Sequence, residues 1–153
     1  MGRKIRSIPQ GHHSITPYLI VSDANGALEY YHNAFGSEEL MRLHTPSGKV
    51  AHAEIKIGNS VIMVADEFPQ MNVFSPLHFG GTPVTMVLYV ENVDGIFQQA
   101  IAAGGKIYRH LENQVYGDRS GMVVDPYGHI WSIATHVEDV TPEEMKKRLA
   151  KYS

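Results

Sequence analysis

Two short clusters in this chain carry side chains that could hold a proton, a charge or a metal ion. The first is His52 and Glu54, two positions apart in the alternating stretch 50–57. On a strand that spacing puts imidazole and carboxylate on one face. The pair supplies two ligands for a divalent ion, and His12, His13 or His136 could add a third. A polar row facing solvent or a cleft has the same pattern. The second cluster is Asp118-Arg119, within Gly117-Asp118-Arg119-Ser120-Gly121. Its guanidinium could receive an anionic or carbonyl-bearing ligand. The other reading is an ion-paired hairpin turn between flexible glycines. His32, His44, His78, His110 and His129 fall in predicted turns or element ends and read as surface residues. There is no cysteine, which excludes disulfides, a thiol nucleophile and thiolate metal ligands. No Ser-His-Asp set is recognisably spaced, and no glycine loop is built to cradle phosphate.

The elements that must position these residues come in two copies. The second half of the chain repeats the first at a constant offset of 69 residues: Thr16 to Val21 reappears as Thr85 to Val90, Asp23 as Asn92, Gly36 as Gly105 and Gly48 as Gly117. The first copy reads as a strand over 15–21, a helix over 24–34 capped by Asp23 and stopped by Gly36, and strands over 39–43, 50–57 and 61–65. The second reads as a strand over 84–90, a helix over 93–103 after Asn92, and strands near 106–111, 120–124 and 129–135. Asp125-Pro126-Tyr127-Gly128 is the turn between the last two. The pattern predicts an α+β fold of two βαβββ modules related by a pseudo-twofold axis, aligned without a gap. One domain over 1–153 is expected: module one about 15–66, a connector at 67–83, module two about 84–135 and a C-terminal helix about 142–151. The connector, with three prolines and several apolar residues, reads as a cover over the sheet or as a lid. The final helix opens on the capping box Thr141-Pro142-Glu143-Glu144 and is mostly polar, which predicts a surface or dimer-contacting helix.

Composition narrows the function classes. The chain has 153 residues, 43% hydrophobic and 19% charged, with a net charge of −3. That is an ordinary globular balance with one sizeable core. Arg3-Lys4-Ile5-Arg6 and Lys146-Lys147-Arg148 are the only basic runs, so nucleic-acid binding has no electrostatic footprint. No apolar run approaches membrane-spanning length. The N-terminal stretch, interrupted by Pro17 and Asp23, does not read as a signal peptide. A cytoplasmic protein is expected.

The paired modules, each opening strand–Asp/Asn–helix, resemble the vicinal oxygen chelate superfamily, which includes glyoxalase I, extradiol dioxygenases and bleomycin-resistance proteins. Thr16-Pro17-Tyr18-Leu19, Ala34-Phe35-Gly36, His52-Ala53-Glu54 and Met63-Val64-Ala65-Asp66 resemble its PhnB-like subgroup. So does Tyr116 to Gly121, continued by Asp125 to Trp131. Metal-dependent members take four ligands from fixed strand positions, which correspond here to Thr16, Met63, Thr85 and Ser132. Two threonines, a methionine and a serine do not supply the imidazole and carboxylate set that a divalent ion takes. The resemblance therefore implies a member without the usual metal site, and no cofactor is expected.

Period-two alternation assigns the strand faces. Tyr18, Ile20, Met63, Thr85, Ser132 and the row His52, Glu54, Lys56 fall on the cleft side. Trp131 and Ile133 fall on the helix side. The expected ligand site is a mixed cleft of Tyr18, His52, Glu54, Met63, Thr85, Tyr116, Arg119 and Ser132. It would take a small, partly apolar organic molecule in a homodimer; a fully packed interior is the competing reading. The alternative function is a lyase, isomerase or dioxygenase-like enzyme using a relocated metal around His52 and Glu54.

Overall fold

The computed structural model describes residue 2 and residues 4–152. Arg3, which opens the N-terminal basic run, lies outside them. The chain divides into two compact units, 1–79 and 80–153.

In the first unit β1 (Tyr18–Val21) leads into α1 (Ala24–Phe35), followed by β2 (Glu38–His44), β3 (Val50–Ile57) and β4 (Ser60–Asp66). The sheet order is β1-β4-β3-β2, with β1 parallel to β4 and the other neighbours antiparallel. Asp23 caps α1 by accepting the Gly26 N–H at 3.1 Å. Gly36 ends the helix at φ 68°, in the left-handed region that suits glycine. The helix covers one face of the sheet: Ala27, Leu28, Tyr31 and Ala34 are buried with Leu19, Val21, Ala53, Ile55 and Val64. Burying each large apolar side chain contributes about 1.5–3 kcal/mol. The segment after β4 is not structureless. It holds a 3-10 turn at Pro69–Met71 and a single helical turn, α2 (Pro76–Phe79), and both belong to the first unit. The Phe74 ring stacks on His78 at 3.8 Å, while Met71, Leu77 and Phe79 stay exposed.

The second unit has the same plan: β5 (Thr85–Tyr89), α3 (Val93–Ala102), β6 (Lys106–Asn113), β7 (Asp118–Val124) and β8 (Ile130–His136), with sheet order β5-β8-β7-β6. Val93, Phe97 and Ala100 form the buried stripe of α3. Trp131, Ile133 and Val123 are fully buried on the sheet face that meets it. The last helix, α4 (Pro142–Leu149), buries no residue. It is tied down by Arg148, which donates to the Val115 carbonyl at 2.9 Å and to Glu138 at 2.6 Å.

The repeat is exact in some elements and shifted in others. Tyr18 pairs with Met63, and Val87, 69 positions on, pairs with Ser132. Asp66 Oδ1 accepts the first N–H of α1 from Ala24, and Thr135, again 69 on, accepts that of α3 from Val93. Glu54, however, faces Met63, whereas the residue facing Ser132 is Met122, an offset of 68. The irregularity between Glu39 and Met41 also recurs at 68, between Ile107 and Arg109. The expected gapless alignment is therefore corrected. Counted by register, the turn Pro126-Tyr127-Gly128, closed by the Asp125 N–H on the His129 carbonyl, is one residue longer than Gly58-Asn59, and one residue is lost before β6.

Gly121 does not flank a turn as expected. It lies within β7, where an added Cβ would come within 2.7 Å of the Phe97 ring of α3. Glycine there lets helix and sheet approach closely. Gly117 is the turn glycine, with φ 105° and the Glu138 carbonyl 2.2 Å from where a Cβ would stand.

Candidate functional site

Each sheet has a helix-covered face and an open face, and the chemistry lies on the open ones. On the first sheet His52 and Glu54 point the same way, as their spacing requires, and the N-terminal segment brings His12 onto them. His12 Nε2 lies 2.8 Å from Glu54 Oε1, and His52 Nε2 lies 3.3 Å from Oε2. The Tyr18 hydroxyl lies 3.1 Å from His52 Nδ1. With Glu54 ionised, His52 donates from Nε2, and its Nδ1 accepts the Tyr18 O–H. A carboxylate shared by two imidazoles and ending in a phenol is a continuous proton path. Glu54 is 14% exposed and Tyr18 48%, so the path runs from a shielded carboxylate to a phenol open to water. Met63 stands beside it, opposite both Tyr18 and Glu54 in the sheet register. His13 is exposed, and His136 belongs to the second unit.

On the second sheet the open face holds a cavity of about 430 Å³. Thr85 from β5, Ser132 and Ile130 from β8, and Ser120 and Met122 from β7 form its floor. Tyr108, Arg109 and Glu112 of β6, with Gln114 and Tyr116 of the following loop, form one wall. Three of the sequence-predicted ligand residues, Thr85, Tyr116 and Ser132, thus line one cavity. Arg119 does not. Ser120 and Met122 face the cavity, so Arg119 faces α3, where Nε and an Nη reach both carboxylate oxygens of Asp94 at 3.0 and 2.8 Å. The ion-pair reading of Arg119 fits this placement, with Asp94 as partner and a strand in place of a turn.

Asp118 serves a different group. It is 5% exposed and accepts the Tyr89 hydroxyl at 2.6 Å and His136 Nδ1 at 2.8 Å; His136 Nε2 lies 2.8 Å from Asp139. Held between two carboxylates, Asp139 foremost and then Asp118, the His136 imidazole has its pKa raised above the ordinary 6.5. The hydrogen bond to Asp118, aided by burial, raises the Tyr89 phenol. A raised histidine stabilises the fold fully below its unfolded pKa, and that contribution is lost as pH rises through the folded value. Thermal stability is therefore expected to fall as pH climbs from about 6.5 into the mildly alkaline range. His136→Asn is expected to flatten that slope, and melting curves across pH 6–9 measure it. Asp94, lowered by its bond to Arg119, and Glu138, lowered by its bond to Arg148, act at the other end. Their contribution is present above the ordinary carboxylate range and is lost in acid.

The β6 wall was missed by sequence reasoning. The strand was expected to end at 111, and its irregular register hides which side chains share a face. The Asp118–His136 contact also had no local signal, since the residues are 18 positions apart on adjacent strands.

A family model, the Glyoxalase/Bleomycin resistance protein/Dioxygenase superfamily, matches residues 11–133. The chain belongs to that superfamily. It is 40% identical over 140 residues to a Mycobacterium bovis protein named as uncharacterized, covering 90% of this chain and 92% of that one. Among solved structures it is similar to TioX from Micromonospora sp. ML1, with 27% identity, a TM-score of 0.65, and coverage of 82% and 99% of the two chains. A PhnB protein from Bacillus cereus shares the fold at 22% identity and TM-score 0.64, with coverage of 80% and 99%. Thr85 and Ser132 line the cavity, and Thr16 and Met63 belong to the first unit. Hydroxyls and a thioether are a poor donor set for a divalent ion, so the residues at the family's ligand positions do not fit one. Among the described residues no three His, Asp or Glu side chains are grouped to hold a metal ion. Among them, too, no helix is long and apolar enough to cross a membrane.

Proposed function

We propose that this protein is a small-molecule-binding member of its superfamily that takes an organic ligand in the cavity on the open face of the second sheet. The cavity itself carries this reading. Its volume, about 430 Å³, suits a small ligand, and its lining sets Pro83, Met122, Ile130 and two tyrosines among hydroxyl, amide and charged groups. The protein acts in the cytosol as a single-domain homodimer. The exposed apolar residues Tyr18, Val87 and Tyr89 on the open faces, and Met71, Leu77 and Phe79 near α2, support pairing with a second copy.

Thermal-shift screening followed by calorimetry tests the binding. A hit should raise the melting temperature of the native protein and lose affinity at least about tenfold in Ser132→Phe, which fills the cavity. Ligands that bind the filled variant equally well would place the site elsewhere. Light scattering is expected to give twice the 17.0 kDa chain mass. A second reading, an enzyme centred on His52 and Glu54, is favoured by the His12–Glu54–His52–Tyr18 proton path. It would be supported by turnover of a bound ligand that is lost in Glu54→Gln while affinity is kept.

A further inference from the structure

The cavity on the second sheet contains one cation and one anion, and neither is used by the fold. Of its thirteen lining residues only Arg109 and Glu112 are charged. The other guanidinium groups of this unit are engaged: Arg119 with Asp94, and Arg148 with Glu138 and Glu144. Among the described residues Arg109 and Glu112 have no ion pair, with each other or with anything else.

Their common orientation has a structural cause. Residues three apart on a regular strand point to opposite faces. Here Arg109 pairs with Met122 and Glu112 with Ser120, so three steps of β6 run against two steps of β7. The extra residue turns both charges toward the cavity. Their backbone positions then lie roughly 7 Å apart along the sheet, two strand steps. Both side chains are long enough to close on groups a few bonds apart in one ligand. A simple anion would meet Arg109 but also the repulsion of Glu112, and a simple cation the reverse. Only a molecule carrying both charges satisfies both.

We propose that the ligand of this cavity is amphoteric: a small molecule with a carboxylate on Arg109, a protonated amine on Glu112, and an apolar or aromatic body against Tyr108, Tyr116 and Ile130. This rests on the reading of the cavity as a ligand site and adds the ligand's chemical class.

The test is a fragment screen by protein-observed NMR, with members matched in size and sorted as amphoteric, anionic, cationic or neutral. Phenylalanine, 3-phenylpropionate and phenethylamine form one matched set. Amphoteric members are expected to bind at least about tenfold tighter than their singly charged counterparts. Arg109→Gln and Glu112→Gln, both at exposed positions, are each expected to erase that preference while leaving neutral fragments unaffected. Equal binding by all four classes, or a preference that survives both substitutions, would overturn the assignment and leave the ligand site standing. If no fragment of any class shifts cavity resonances, the ligand site itself is rejected and this assignment with it.

Discussion

Asp66→Ala is expected to destabilise the protein by roughly 3–5 kcal/mol, as two buried donors each lose their acceptor. Asp66 Oδ1 accepts the Ala24 N–H at 2.7 Å and Oδ2 the Val50 N–H at 2.6 Å, and both residues are fully buried. One side chain thus closes the start of α1 and the start of β3 onto the end of β4. Natural domains hold only about 5–15 kcal/mol in all, so the variant sits near the limit of folding. Asp66→Asn can accept one N–H through its amide oxygen but turns an NH₂ toward the other, so about half the loss is expected. Thr135 occupies the equivalent place in the second unit, accepting the Val93 N–H and donating to the Val90 carbonyl. Thr135→Ala is expected to cost only about 1 kcal/mol. Urea titration should show a lower midpoint at unchanged slope. A loss below about 1 kcal/mol in Asp66→Ala would mean that water satisfies both donors and that the carboxylate does not join the three elements.

Trp131→Ala is expected to cost about 3–5 kcal/mol through the cavity it leaves. Trp131 is 1% exposed on the helix-facing side of β8, and its indole N–H donates to Asp125 Oδ2 at 2.9 Å. Asp125 Oδ1 meanwhile accepts from the Tyr127 and His129 N–H groups and shapes the β7–β8 turn. Trp131→Phe keeps most of the packing and loses the indole bond, so roughly 1–3 kcal/mol is expected. Thermal unfolding of the pair separates the two contributions. Equal losses in both variants would assign the whole effect to the hydrogen bond and refute the packing account.

The regular parts of this fold were legible because burial enforces periodicity. Val50 to Ile57 alternates cleanly, and β3 spans those residues. Asp23 and Asn92 were readable as caps because few side chains serve that role, and both accept the N–H three residues on. The open-face row His52, Glu54, Lys56 followed from the same alternation. What defeated the sequence was irregularity and distance. The register break in β6 removes the period-two rule where the cavity wall is built. Gly117 and Gly121 look alike in sequence, yet one turns the chain and the other makes room for Phe97. Arg119 found its partner 25 positions away on α3, beyond any local pattern.

The parallel strand pairs also favour one order of assembly. Tyr18 must find Met63, 45 positions later, and Val87 must find Ser132 at the same separation. The β3–β4 hairpin, by contrast, closes across Gly58-Asn59 alone. Loop-closure entropy rises with the logarithm of length, so the antiparallel strands zip first and create the edge that the opening strand needs. In each unit the strand made earliest on the ribosome is thus expected to be the last incorporated. The Leu-Ile-Val stretch of β1 has to wait, unpaired, for more than forty residues to emerge. That interval is when this chain is most exposed to mispairing, and when a chaperone would have most to protect.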